Sequence, residues 1–255
     1  MKYFSFLIPT RERTHMLTDL FESLIKTTHD LSLIEILFAV DTDDDRTKEF
    51  LETSIVKYKD ILDIKYYLRE RSILLNEDYY NWLAKKATGQ FFWILGDDVS
   101  FTKEGWDIEI KIGLDAFCEA HKDTIVCASI HDNTPPPSSK LPKFPCFPLF
   151  SRKVLEINGF LLHPKIPTWG ADYVSYVTFE PIKRLLEFKN GCYLNHKSWH
   201  TRQVEVDNVN ERIGYIFNQL KNVPHHNIQR IIEEEIPTIR GKMKDFIEGR
   251  TKNAH

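Results

Sequence analysis

Phe91-Phe92-Trp93-Ile94-Leu95 is an unbroken run of large apolar residues, and Gly96-Asp97-Asp98 follows it directly, ahead of Val99-Ser100-Phe101. A run without polar alternation suits a strand covered on both faces, as in the middle of a parallel sheet. Two acids at the mouth of such a strand are costly unless something compensates them. Gly-Asp-Asp is ordinary turn chemistry. It is also a way to present oxygen ligands to a divalent cation.

The chain around this stretch repeats one unit. Tyr3 to Ile8 reads as a buried strand ended by Pro9, and Leu17, Leu20, Phe21, Leu24 and Ile25 follow at helical spacing with Thr14 as N-cap. Ile34 to Val40 is a second buried strand, and Phe50, Leu51 and Ile55 mark a second helix. Leu62, Ile64, Tyr66 and Leu68 alternate as a third strand, and a helix carrying Leu75, Tyr79, Tyr80 and Leu83 stops at Gly89. Strands alternating with helices through short connections predict an α/β fold with a doubly wound, mostly parallel sheet and helices on both faces. At 255 residues the chain suits one large domain with an appendage.

In such sheets ligands sit outside the carboxyl ends of the strands, where the strand order switches. Every one of those ends is polar here: Thr10 to Arg13, Asp41 to Asp45, Arg69 to Asn76 and Gly96 to Asp98. Each loop alone reads as solvated surface; together they would face one crevice. The first and third, with Arg11, Arg13 and Arg71, offer guanidinium groups suited to a diphosphate. The second and fourth, with Asp41, Asp43, Asp97 and Asp98, offer acids for ribose hydroxyls, base N–H groups or a metal. No GxGxxG or Walker-type loop follows the first strand, which removes the usual dinucleotide and P-loop readings.

The second half changes character. Trp106 to Cys118 reads as a helix and Thr124 to Ile130 as a strand. Thr134 to Pro148 is proline-rich and predicts an extended loop across the crevice or a rigid connector. Phe150-Ser151-Arg152 opens a short helix ending near Gly159. Trp169-Gly170-Ala171-Asp172 precedes a helical run, so Asp172 stands at a helix start, where an acid is also favoured as a cap. Gly191 to Leu194 reads as a last strand, with His196 and His200 after it. From Asp207 on the sequence is charged and helical, with a break at Pro237.

The formal charge of −3 argues against broad nucleic-acid binding, which needs a basic surface. Four cysteines without CxxC spacing read as reduced thiols, which predicts a cytoplasmic protein. No segment reaches membrane-spanning length, and the apolar run at the N-terminus is short for a signal peptide.

Pro9-Thr10-Arg11 after the first strand, the acids after the second, Asn81 with Ala87-Thr88-Gly89 before an apolar strand, and then the acidic pair resemble the nucleotide-sugar-binding half of family-two-like glycosyltransferases with the GT-A fold. The resemblance covers the first half of the chain well and residues 147–200 more loosely. It implies a GT-A-like domain over residues 1–205, with a donor half at 1–101 and an acceptor half at 102–205, and a helical extension at 206–255. It implies transfer of a sugar, with inversion, from a nucleotide-diphosphate sugar (UDP- or GDP-linked) to a glycan or other hydroxyl-bearing acceptor, with Mn²⁺ or Mg²⁺ against the diphosphate. By resemblance Asp98 is the metal ligand, and Asp97 contacts ribose, sugar or a second metal position. Thr10, Arg11, Asp41 and Asp43 would hold the base and ribose. Arg71 and Asn81 would approach the donor, Asp172 would be the base, and His196 or His200 would complete the metal site. Gly96 stands where the family often has its first acid.

Three other classes compete. An apolar–Gly-Asp-Asp–apolar segment also resembles the metal-binding hairpin of template-dependent polymerases, but the chain is short for one and lacks basic excess. A nucleotidyltransferase would carry a glycine-rich N-terminal loop with a lysine. A non-catalytic nucleotide-sugar-binding module on the same scaffold is the third.

Overall fold

The computed structural model describes residues 2–134, 144–167, 170–197 and 228–250. Its centre is a seven-stranded sheet in the order β3-β2-β1-β4-β7-β6-β8. The first four are β1 (Phe4–Thr10), β2 (Ile34–Asp41), β3 (Asp63–Arg69) and β4 (Phe91–Ile94), mutually parallel. Helices α1 (Thr14–Thr27) and α2 (Asp45–Tyr58) connect the first three. A π-helical segment, Leu75–Asn81, running into α3 (Trp82–Ala84), leads to β4.

The apolar runs are buried on both faces, as their lack of alternation predicts. Phe4, Phe6 and Ile8 of β1 face one core with Phe21, Phe38, Trp93 and Trp106, while Leu7, Leu37, Phe92 and Ile94 face the other. The strand order reverses between β1 and β4, so the switch point lies beside Gly96-Asp97-Asp98.

Pro9 does not end the first strand. It lies within β1, opposite Ala39. Leu7 accepts from the Leu95 amide, so alternate residues Ser5, Leu7 and Pro9 turn their main-chain groups toward β4. The ladder with β4 ends at Leu7, so the missing donor of Pro9 faces a gap already opened between the strands. That gap is the crevice.

The rest of the sheet is mixed. After β5 (Val99–Phe101) and α4 (Trp106–His121) come β6 (Cys127–Ile130) and β7 (Leu149–Ser151). The latter runs antiparallel to both β4 and β6. Next follow α5 (Arg152–Asn158), α6 (Ala171–Phe179), β8 (Leu185–Phe188), parallel to β6, and β9 (Leu194–His196). Strands β7 and β8 are too short to carry a periodic signal, and the sequence reading passed over both. The last strand lies further along than expected, so that His196 is within it. It pairs antiparallel with β5, Val99 opposite His196, in a separate two-stranded sheet.

Three local expectations change. Helix α1 is entered through Arg13 rather than capped by Thr14, whose side chain is buried. Gly89 is not the left-handed stop of the third helix. It is needed for close approach, since an added Cβ would lie 2.5 Å from Ser5 Oγ and 2.9 Å from its amide nitrogen. Pro237 does not break the C-terminal helix. Helix α7 (Ile228–Arg230), a π-helical segment Ile231–Glu235 and α8 (Ile236–Ile247) run on continuously, and the wider π turn before α8 accommodates the ring of Pro237 in its first turn. Ile231, Ile236, Ile239 and Met243 join the core formed with α5 and α6.

One buried charge ties the sheet together below the crevice. Glu35, fully buried on β2, accepts from Ser5 Oγ (2.6 Å), Lys65 Nζ (2.8 Å), Thr88 Oγ1 (2.9 Å) and the Gly89 amide (3.2 Å). Burial opposes its ionisation, but Lys65, Ser5 and Thr88 outweigh it and hold the carboxyl down at about 2. Glu35→Ala, which leaves these donors unpaired, is expected to cost about 3 kcal/mol or more in urea unfolding at pH 7. Because the folded value lies below the ordinary 4.5, this contribution is complete above about pH 4.5 and fades as pH falls toward 2. An unchanged denaturation midpoint would contradict the assignment.

Candidate active site

The crevice is walled by the carboxyl ends of β1, β2 and β4 and by the β5–β9 pair. At the end of β1, Thr10 is buried and donates to Asp97 Oδ2 at 2.9 Å. Arg13 Nε donates to the same oxygen at 3.2 Å, and its other nitrogens reach Asp97 Oδ1 and, at 3.4 Å, Asp98 Oδ2. Asp97 is fully buried, so Thr10 and Arg13 supply the compensation that the sequence demands for this acid.

Arg11 points to the second strand end instead. It pairs with Asp41 Oδ2 at 3.2 Å and with both carboxylate oxygens of Asp43. Asp41 also accepts from Tyr79 Oη at 2.5 Å. The hydrogen bond to Arg11, with its charge, holds the Asp43 carboxyl below the usual range, and Arg71 lowers it further from the third strand end. Between these groups Glu12 adopts φ 57°, an uncommon conformation for a non-glycine residue. Its amide is fixed by Asp44 Oδ2 (2.8 Å) and Thr47 Oγ1 (3.0 Å), while Asp44 also caps α2.

Asp98 turns toward β9. Its Oδ2 lies 3.6 Å from His196 Nε2, and the Lys197 amide donates to its carbonyl at 2.9 Å. Gly96 is what permits this. A Cβ there would lie 2.4 Å from Asp98 Oδ1, so the absent first acid leaves room for the second to fold back.

Asp172 lies in the first turn of α6, half-buried, and accepts from the Tyr173 amide at 2.8 Å. Burial pushes its carboxyl up, against the pull of the amides at the helix start. The thiol of Cys146 relates the two halves: burial pushes it up to about 12, and the charges of Asp132, Asp172 and Asp98 act in the same direction.

Asn81 is the exception. Its amide donates to Glu77 and the Leu162 carbonyl and accepts from the Leu161 and Leu162 amides, at 2.8–3.1 Å. Its hydrogen-bonding capacity is spent on Glu77 and on the Leu161 and Leu162 backbone, leaving none for a donor substrate. His200 and Trp169 lie outside the described residues, as does most of the proline-rich segment. The sequence reading missed the end of β6, where His131-Asp132-Asn133-Thr134 backs His196. The same signal, polar residues directly after an apolar strand, was there to find it.

A divalent cation fits this donor set. Neighbouring ligands about 2.1 Å from one octahedral ion stand about 3.0 Å apart, so Asp98 Oδ2 and His196 Nε2, 3.6 Å apart, would close by about half an ångström to share it. Among the described residues no group of three or more His, Cys, Asp or Glu side chains forms a complete cage. Mn²⁺- and Mg²⁺-type sites draw their remaining ligands from water and substrate phosphate. None of the four cysteines is in a disulfide, and no described helix is long and apolar enough to cross a membrane.

No curated protein matches the chain in sequence. Solved structures do match in fold. Residues 1–349 of S. aureus TarS with UDP give a TM-score of 0.58 at 19% identity, over 76% of this chain and 60% of that one. The chain thus spans less than two thirds of that TarS fragment. The mannosyltransferase PcManGT from Pyrobaculum calidifontis, with GDP-Man and Mn²⁺, gives 0.56 at 11% identity, over 96% of this chain and 74% of that one. GalNAc-T7 with UDP, GalNAc and Mn²⁺ gives 0.55 at 18% identity, over 76% and 43%. The family model described as glycosyl transferase family 2 matches residues 5–168, which takes in β1 to β7 and the acidic pair. The polymerase and nucleotidyltransferase readings fall with that match: on a GT-A-type sheet, with its polar strand ends in the expected order, the chain belongs to glycosyl transferase family 2.

Proposed function

We propose that the chain is a divalent-metal-dependent, inverting glycosyltransferase that moves a sugar from a UDP- or GDP-sugar to a hydroxyl of a glycan or similar acceptor. The observation that carries this reading is the approach of Asp98 to His196 beside Arg13, Asp97 and Thr10 at the switch point. The structural neighbours hold UDP, UDP-GlcNAc or GDP-Man, two of them with Mn²⁺, which supports the donor class.

Asp41, with Arg11 and Asp43, receives the base and ribose, and Arg71 closes that end. Asp97, buried under Arg13 in the empty crevice, meets ribose or sugar once Arg13 turns to the diphosphate. Arg13, already between the two acids, is within reach of a diphosphate once a cation takes over Asp98. Asp98 and His196 would hold Mn²⁺ or Mg²⁺, with His200 as a further candidate, and a bound cation supplies neutralisation of the leaving diphosphate. Asp172 takes the proton of the acceptor hydroxyl as that oxygen bonds to the anomeric carbon. The bond from that carbon to the diphosphate breaks, and the electron pair leaves with the nucleotide. A base with a raised pKa is better matched to this transfer than an ordinary carboxylate.

Thermal-shift screening against UDP-, GDP-, dTDP- and CMP-sugars tests the donor. A UDP- or GDP-sugar is expected to raise the Tm with Mn²⁺ present and far less with EDTA. No shift with any of them would sink the reading.

A further inference from the structure

Helix α6 buries one side and leaves the other half in water. Val174, Ser175, Thr178 and Phe179 are buried, and Val174 and Phe179 join the core with Phe150 of β7 and with Ile231 and Ile236 of the C-terminal helical run. At about 100° per residue the remaining side carries Asp172, Tyr173 and Tyr176, all three half-buried. Tyr176 stands four residues after Asp172 and three after Tyr173, the spacings at which side chains on a helix surface are neighbours.

Phe144, also half-buried, lies across this side. Its ring centroid is 4.9 Å from that of Tyr173 and 5.6 Å from that of Tyr176, at interplanar angles of 50° and 51°. Three residues on, the Phe147 ring packs edge-on at 4.9 Å from the ring of His196. Three residues reach at most about 11 Å, so a short segment ties the aromatic cluster to the crevice wall.

Partly exposed rings with a few polar groups converging on them line small-molecule sites. Among the described residues neither tyrosine hydroxyl has a hydrogen-bond partner, and no lysine, arginine or histidine pairs with Asp172. Glu180, four residues past Tyr176 and exposed, is a second acid. A sugar ring matches this surface. One face of a pyranose is a patch of C–H groups that lies on aromatic rings, and its rim is a row of hydroxyls that meets the tyrosine hydroxyls and the carboxylate. A phosphate- or carboxylate-bearing acceptor would bring like charge to Asp172 and Glu180. An acyl chain would cover the polar groups without pairing them.

We propose that Phe144, Tyr173 and Tyr176 form the acceptor subsite, and that it takes an uncharged sugar ring with the accepting hydroxyl toward Asp172, given Asp172 as the base in the reading above.

Saturation-transfer NMR on the full chain, with Mn²⁺ and UDP or GDP, tests it. The probes are the methyl glycosides of glucose, galactose, mannose and N-acetylglucosamine, with glucuronate and sorbitol as the charged and acyclic comparisons. At least one glycoside should bind about tenfold more tightly than either comparison, with transfer concentrated on the C–H groups of one ring face. Tyr176→Ala and Tyr173→Ala should each weaken it about tenfold, and Tyr176→Phe, which keeps the ring, far less. Both alanine changes leave the buried side of α6 intact, and a Mn²⁺-dependent rise in Tm with the same nucleotide reports an intact crevice. If the parent binds nucleotide but no glycoside, or binds glucuronate as tightly, or if both alanine variants bind as the parent does, the subsite is overturned and the donor reading stands. If no nucleotide raises the Tm of the parent, the donor reading falls and the subsite with it.

Discussion

Asp172→Asn is expected to lower kcat by about a thousandfold while the donor KM stays within about twofold, the split that marks loss of a group acting only in the transition state. Asn keeps the size of the side chain and an oxygen to accept from the Tyr173 amide, so the start of α6 survives. What it removes is a carboxylate able to take a proton. In the parent, activity should fall as pH drops through the Asp172 pKa, because the base works deprotonated, and burial places that fall above the ordinary 3.8. Steady-state kinetics across pH on both proteins would check this. Turnover near the parent level in the Asn variant would remove Asp172 from the mechanism.

Asp98→Ala is expected to abolish the Mn²⁺-dependent part of donor binding, a loss of at least about a hundredfold, beyond what an outer-shell partner costs. It should do so at little cost in stability. The Asp98 backbone carbonyl, not its side chain, holds Lys197, and Arg13 keeps its closer contacts with Asp97. Asp97→Ala is the less clean experiment, since it strands Thr10 and Arg13 around a buried site and is expected to weaken folding as well. Calorimetric titration of UDP and GDP into Asp98→Ala, with Mn²⁺ and with EDTA, separates the two effects. Parent-like binding with Mn²⁺ present would remove Asp98 as a metal ligand.

The parallel half of the sheet was legible because its strands are long apolar runs buried on both faces, a pattern that leaves few alternatives. The crevice was legible because each of those runs ends in polar residues. Residues placed by pairing rather than by pattern were not. Strands β7 and β8 have three and four residues, too few for a period, and their places are set by β4 and β6. Pro9 misled for a physical reason: a proline ends a strand only where its amide would have been used, and here that side of β1 has already parted from β4. Asn81 sits where the resemblance puts a donor contact, but its amide is spent on Leu161 and Leu162. Gly96 read as a missing acid. In three dimensions it is the space into which Asp98 turns to meet His196.

Release of nucleoside diphosphate from UDP- and GDP-sugars, incubated with the parent protein and Mn²⁺ without an acceptor, tests the central claim most directly. Slow turnover of one donor, with water in place of the acceptor, is predicted above the protein-free background and is abolished by EDTA. No release from any donor, or release that persists undiminished in EDTA, would contradict a metal-dependent sugar transfer at this site.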